Sequence, residues 1–372
     1  MVRNLAREFA DGEIAPRAGY FDEHREFPYD IVKKLAELGF MGLPVPEEYG
    51  GAGADTLTYA IAVEEISRGD ASVGITMAAH TSLGTTPFLL FGSEEQKSRY
   101  VPPLARGTML WSFGLTEPNA GSDAGATRTR AVNEGDGWVI NGTKSFITNS
   151  GTTISGGVTI TAVTGSRADG SNEISNIIVP QGTAGYSVSP AYNKMGWRAS
   201  DTHELAFSDA RVDGDCLLGP RGAGFKQFLT ILDGGRISVA ALNVGVARAA
   251  YDASMAYARQ REQFGKSISR FQAIQFMLAD MATEIELARL LTYKAAWLKD
   301  HDRSFVLEAG MAKLFSGEIA TRCANRAVEI HGGYGVMEEF PVARLWRDVK
   351  IGEIGEGTAE IQRNVIARLL GL

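Results

Sequence analysis

With 372 residues, 44% of them hydrophobic and 22% charged, the chain is long enough for two or three globular domains with substantial cores. A formal net charge of -7 and the lack of any long basic cluster leave no electrostatic footprint for nucleic acid. No apolar run is read as a membrane span, and the N-terminal MVRNLAREFADGEIAPRAG lacks the apolar centre of a signal peptide; Cys216 and Cys323 have neither the number nor the spacing for a zinc site or a disulfide framework, so reduced thiols and a cytoplasmic location are expected.

Residues 1–112 read as a helical domain. Val2, Leu5, Ala6, Phe9 and Ala10 keep helical spacing, as do Ile31, Leu35 and Leu38 ahead of the stop at Gly39. Tyr49 to Gly53 is a glycine-rich loop without a preceding strand or GxGxxG spacing, so it is no dinucleotide fingerprint. Helices are predicted over Leu57–Arg68, with Glu64 and Glu65 on its faces, and over the apolar stretch Ala71–Leu90.

From Phe113 to Leu218 the texture changes to Gly, Thr, Ser and Asn with short alternating runs. Trp138-Val139-Ile140 leads into Asn141-Gly142, a hairpin signal. Val158, Ile160 and Ala162 alternate with Thr159 and Thr161, and His203, Leu205 and Phe207 alternate with polar neighbours. Residues 113–218 are therefore expected to form a small antiparallel β-barrel domain. From 219 to 372 the helical period returns, with Phe271, Ile274, Leu278, Met281, Ile285 and Ala288 stepping by three and four, and breaks near Gly265 and His301 mark a helical bundle. The expected architecture is α+β and multidomain: helices, a β-barrel, then helices.

Several motifs fail. Gly265-Lys266-Ser267 resembles the end of a phosphate-binding loop, but Gln260 stands where its first glycine is needed. The five histidines are scattered, without an HExxH pair, so no metal is expected, and no GxSxG elbow occurs. Glu356 stands out between Gly355 and Gly357, with Thr358 as a plausible cap of the helical run that follows. Local features alone favour a solvated glutamate in a surface turn; the other motifs reverse that reading.

Phe113-Gly-Leu-Thr-Glu-Pro-Asn-Ala-Gly-Ser122, Asn141-Gly-Thr-Lys-Ser-Phe-Ile-Thr148, Met195-Gly-Trp-Arg-Ala-Ser-Asp-Thr202, Arg261-Glu-Gln-Phe-Gly-Lys266, Ile330-His-Gly-Gly-Tyr-Gly335 and the Glu356 turn occur in this order along nearly the whole chain. In order, spacing and wording they resemble the acyl-CoA dehydrogenase family, with a leaning to short-chain or branched short-chain members. The resemblance implies the three-domain fold of that family, with a four-helix bundle at the C-terminus, FAD as cofactor, an acyl-CoA thioester as substrate, an electron-transfer flavoprotein as electron acceptor, and a homotetramer built as a dimer of dimers.

Residue by residue, it implies that Phe113, Leu115, Thr116 and Ser122 line the flavin, Ser122 also facing the substrate's CoA moiety, and that Phe146, Ile147 and Thr148 stand for a Trp-Ile-Thr motif at its reactive edge. It implies that Arg261 serves the cofactor pyrophosphate of a neighbouring subunit, with Gln272, Glu329, Gly332 and Gly333, and with Thr358 and Glu360 after the turn. Glu329 departs from the family's usual glutamine, and an anion there would repel a phosphate. Asp233, Arg236 and Gly357 fall on the substrate side. Some members carry the base just before the arginine; here that position is Gly235, which leaves Glu356 as the base, and Gly235 is expected to give room to the acyl chain. Met77, Ala79, His80 and Leu83 are placed near the acyl tail. The implied reaction is α,β-dehydrogenation to a trans-2-enoyl-CoA, with Glu356 taking the α-proton and a β-hydride passing to FAD. Two alternatives stay open: an acyl-CoA oxidase using molecular oxygen, and a non-catalytic relative associated with nucleic acid, against which the net negative charge stands.

Overall fold

Acidic caps open two of the N-terminal helices. In the computed structural model, which describes residues 1–372, the N-terminal part folds as α1 (Val2–Phe9), α2 (Ala18–His24), α3 (Tyr29–Glu37), α4 (Thr56–Gly69), α5 (Ala71–Ala79), α6 (Thr86–Phe91) and α7 (Glu94–Ala105). Asp55 accepts from Thr58 N–H at 2.7 Å and Asp70 from Val73 N–H at 3.0 Å, satisfying amides that a helix N-terminus leaves unpaired. The stretch expected as one helix over Ala71–Leu90 is interrupted by wide, π-helical turns at His80–Thr85. Packing explains the break: a Cβ on Gly84 would stand 2.3 Å from the Trp111 carbonyl. His80, placed by the sequence near the acyl tail, is wholly buried and engaged elsewhere: Trp111 N–H lies 3.3 Å from Nδ1 and Leu104 O 3.0 Å from Nε2. Burial pushes its pKa down to about 4, and the ring is neutral.

The central strands are β1 (Leu110–Gly114), β2 (Arg130–Glu134), β3 (Gly137–Thr148), β4 (Ser155–Ser166), β5 (Asn172–Pro180), β6 (Tyr186–Val188), β7 (Thr202–Asp213) and β8 (Leu217–Leu218). They run in the order β6-β7-β3-β2-β4-β5-β8, with β1 against β4. Most pairs are antiparallel as expected, but β1 and β2 each pair β4 in parallel. β1 enters the sheet from α7, not from a hairpin, and only a hairpin obliges antiparallel pairing. The hairpin expected at Asn141-Gly142 does not form. Both residues lie inside the 12-residue β3, where the register against β7 shifts. Asn141 exchanges hydrogen bonds of 2.9 Å with the Asp209 side chain and N–H, and Gly142 takes φ +149° where a Cβ would strike Thr129. The pair makes a bulge, not a turn.

The C-terminal part comprises α8 (Gly224–Gln260), α9 (Gln272–Asp300), α10 (Val306–His331), α11 (Pro341–Ile354) and α12 (Ala359–Leu369). α10 packs against the other four. Gly265-Lys266-Ser267 falls in a tight pairing of Glu262–Gln263 with Lys266–Ser267. α8 contains an 18-residue window of mean hydropathy 1.2, apolar enough to cross a membrane, but 72% of it is buried within the protein, as in a central core helix.

One hydrophobic core runs through both helical parts, from Ala6 and Phe9 through Ile66 and Met77 to Leu242, Met281 and Ala320. A second fills the sheet domain and takes in Phe88, Tyr100 and Leu104 from α6 and α7. Glu64 and Glu65, read as helix-face residues, are fully buried on α4. They receive Arg3, Arg7, Arg248 and Arg289, so charge pairing ties α1 and α4 to α8 and α9. Cys216 and Cys323 are buried and unbridged. Where α8 crosses α4, a Cβ on Gly245 would lie 2.3 Å from the Glu64 carbonyl. Gly245→Ala is therefore expected to cost about 1–3 kcal/mol, read as a lower midpoint in thermal unfolding. Gly12→Ala, whose Cβ meets nothing within 4 Å, should leave that midpoint unchanged or raise it.

Candidate active site

α11 ends at Ile354, and the chain turns through Gly355, Glu356 and Gly357 before Thr358 opens α12. Thr358 Oγ1 accepts from Ile361 N–H at 3.3 Å, as the sequence predicts for a cap. Glu356 adopts φ +53° and Gly357 φ +97°. The left-handed backbone at a non-glycine residue is strained and is held by its surroundings. Gln362 Nε2 donates to the Glu356 and Gly357 carbonyls, both at 3.3 Å. The Glu356 N–H has no acceptor within the chain.

The Glu356 carboxylate is turned inward. Both oxygens are buried without a hydrogen-bond partner. Burial lifts its pKa to about 7, against the opposing pull of Lys313 and Arg236. A carboxyl that holds its proton more tightly folded than unfolded contributes stability in acid and loses that contribution as pH rises through about 7. The same displacement suits a base that must take a proton from a weak carbon acid near neutrality. Gly235 does not leave room for an acyl chain as expected: a Cβ there would lie 2.3 Å from Glu356 Oε2, so the missing side chain makes room for the carboxylate itself. In the next position on α8, Arg236 Nη1 pairs with Asp233 Oδ1 at 2.7 Å, and Arg236 is buried with its Nε unpartnered.

An apolar cluster between the sheet domain and α8 adjoins this turn. Phe113 stacks on Phe228 of α8 at 6.0 Å, and Leu83, Leu115 and Ala124 pack around them. Leu83 also lies 3.6 Å from the Cβ position of Gly235. The Leu115-Thr116 segment is fastened to β3: Ser145 N–H donates to the Thr116 carbonyl at 2.7 Å and Lys144 Nζ to the Leu115 carbonyl at 3.2 Å. Lys144 is fully buried and pairs with Glu117 at 2.8 Å. Burial raises and this pairing lowers the Glu117 pKa; the pairing wins, to about 2, while burial draws Lys144 down to about 8. Phe146 bulges outward at φ +62° and 65% exposure, its ring against Tyr192 at 5.1 Å, while Ile147 is buried opposite His203 and Thr148 is half-buried. Ser122 is exposed on the loop before Ala124.

Arg261, Gly332 and Gly333 meet elsewhere. They line a cavity of about 550 Å³ with Tyr257, His331 and Tyr334. The Arg261 guanidinium lies over the Tyr334 ring at 5.7 Å. Gly332 takes φ +61°, and neither glycine's Cβ would meet an atom within 4 Å. A cation, aromatic faces and a glycine pair with open space over its backbone suit the pyrophosphate and adenine of a dinucleotide. The residues present therefore fit FAD, with Phe113, Leu115 and the adjoining Thr116 on the apolar side for its flat ring and Arg261, Gly332 and Gly333 for phosphate. Gln272 and Glu329 are exposed and line neither region, and Glu360 is exposed on α12. Glu329 thus turns away from the phosphate-type cavity. His203, unaccounted for by the sequence, is held by Asp201 at 2.6 Å and the Ser189 carbonyl at 2.7 Å; burial lowers its pKa, but these bonds raise it further.

Fold and site together define a flavoprotein oxidoreductase. Domain models of acyl-CoA dehydrogenase match residues 1–108 (N-terminal domain), 112–210 (middle domain) and 222–371 (C-terminal domain). A probable acyl-CoA dehydrogenase of Bacillus subtilis is 57% identical over 370 residues, covering 100% of this chain and 97% of its own. The structure of butyryl-CoA dehydrogenase from Megasphaera elsdenii superposes with TM-score 0.96 at 41% identity, covering 100% of this chain and 97% of that one. An acyl-CoA dehydrogenase from Bacillus anthracis, solved in complex with FAD, superposes with TM-score 0.92 at 36% identity over 100% of this chain and 66% of that one. The chain belongs to the acyl-CoA dehydrogenase family and, like that family, is FAD-dependent.

Sequence reasoning missed Lys313, Gln362 and Lys144, which hold the site from behind. Lys313 had a signal: it falls among Ala309, Ala312, Ser316 and Ala320, a face of small residues where a lysine has no solvent to reach. Gly235→Ala is expected to displace the Glu356 carboxylate and lower kcat by roughly 10²-fold, with FAD content, read from the visible spectrum, unchanged.

Proposed function

We propose that the protein dehydrogenates a short-chain acyl-CoA thioester across Cα–Cβ, with Glu356 as the base that takes the α-proton. The observation that carries this is the Glu356 carboxylate, buried, without a partner and pushed up to about 7 beside the apolar cluster. Likeness to a butyryl-CoA dehydrogenase supports the short chain. Glu356 is ionised above that pH and has no other group to bond, so its lone pair is free for the substrate proton. Its unpaired N–H can donate to the thioester oxygen as negative charge develops there. Bound FAD supplies the acceptor for the hydride leaving Cβ. The apolar walls of Phe113, Phe228 and Leu83 exclude water and keep the carboxylate basic. The product is the trans-2-enoyl-CoA, and an electron-transfer flavoprotein takes the electrons onward.

The test is anaerobic titration of the holoenzyme with butyryl-CoA and octanoyl-CoA. Bleaching of the flavin band by butyryl-CoA first, its recovery on adding an electron-transfer flavoprotein, and no bleaching in Glu356→Gln are expected. Full bleaching in that variant would remove Glu356 as the base.

We also infer a homotetramer in which Arg261 serves a neighbour's cofactor. Phe264, Phe276, Leu287, Leu290 and Trp297, on and just before α9, leave large apolar side chains exposed, which supports burial against another copy. Light scattering should give four chains per particle; a fully flavinylated monomer would refute the arrangement.

A further inference from the structure

α10 carries a lysine that the reaction as described does not use. Lys313 is 1% exposed. Its Nζ donates to the Glu353 carbonyl at 3.0 Å and to the Gly357 carbonyl at 2.5 Å. These two carbonyls stand on either side of Glu356, one in the last turn of α11 and one just ahead of α12. A single ammonium therefore ties both ends of the turn to α10, and Gln362 of α12 holds the same turn from the other side.

Lys313 has no carboxylate of its own. Glu353, whose backbone carbonyl it bonds, has its carboxylate already engaged by Lys350 and Thr321. A buried ammonium that bonds only neutral carbonyls keeps most of its charge uncompensated, which is unfavourable unless an anion faces it. Glu356 is the mirror case, a buried carboxylate without a hydrogen bond. Two half-satisfied charges in one site are each tolerable because of the other.

We propose that Lys313 is a positioning residue for the dehydrogenation: it clamps the turn that carries Glu356 and supplies the cation that keeps the carboxylate ionised at working pH. The proposal rests on the reading of Glu356 as the base. The charged and titratable groups facing Glu356 come from several elements: Tyr59 on α4, Arg236 on α8 with its partner Asp233, and Lys313 on α10. Arg236 shares its charge with Asp233 at 2.7 Å, so Lys313 is the cation left unshared. The reciprocal influence is visible: the Glu356 charge raises the Lys313 pKa and the Lys313 charge lowers that of Glu356, with burial the larger effect on each.

The experiment is the pH profile of kcat/KM for butyryl-CoA in the flavinylated wild type, Lys313→Met, Lys313→Gln and Lys313→Arg, with Glu356→Gln as reference and FAD content read from the visible band. In the wild type the acid limb should have its midpoint near 7. Lys313→Met and Lys313→Gln should move that midpoint up by about one unit or more, so that activity at neutral pH falls roughly tenfold and returns in alkali. Lys313→Arg keeps a cation and should keep the midpoint near 7. An even loss of activity at every pH, with the midpoint unmoved in both neutral variants, would make Lys313 merely structural and overturn the proposal. If the Met variant fails to fold, the Gln and Arg pair decides the matter alone. Residual turnover in Glu356→Gln would instead strike at the base assignment, and that outcome is read from a different protein.

Discussion

A carboxylate taken out of water and given no hydrogen bond is the constraint around which this molecule is built. Left alone it would protonate and be inert. The chain accommodates it with three devices from three different helices: the empty position at Gly235 on α8, the unshared charge of Lys313 on α10, and the strained left-handed backbone of Glu356 held by Gln362 from α12. The space fixes where the carboxylate points, the charge fixes how often it is ionised, and the turn fixes where its N–H lies.

This dependence explains why the two helical parts share a core while the sheet domain keeps its own. The turn and its clamps belong to the bundle, and the bundle is joined to α4 by the Gly245 crossing and by arginines on buried Glu64 and Glu65. Glu356 thus sits on the part of the molecule that is tied into the larger of its cores. The sheet domain contributes the opposite side of the apolar cluster, and the buried Lys144–Glu117 pair holds the Leu115-Thr116 segment to β3.

Much of this was legible in the sequence. The helix–sheet–helix order followed from a change of period, and the Thr358 cap and the Glu356 turn followed from the residues that flank them. What was not legible depended on residues far apart in the chain. Asn141-Gly142 carries a hairpin signal at short range, but Asp209 on β7 captures the asparagine and the pair becomes a bulge. His80 reads as a pocket residue until Leu104 and Trp111 are seen to occupy both its nitrogens. Gly235 reads as room for substrate until the carboxylate of a residue in the turn between α11 and α12 is found there.

The strand order ends on β6, with three residues, and β8, with two. Long strands, 12 residues each in β3, β4 and β7, are kept to the interior of the order. An incoming strand would therefore find only a few free amides and carbonyls at either end, too few to template a ladder. Growth of aggregates by addition to β6 or β8 is disfavoured. The large apolar side chains exposed on α9 thus belong to a chain whose two terminal strands are short.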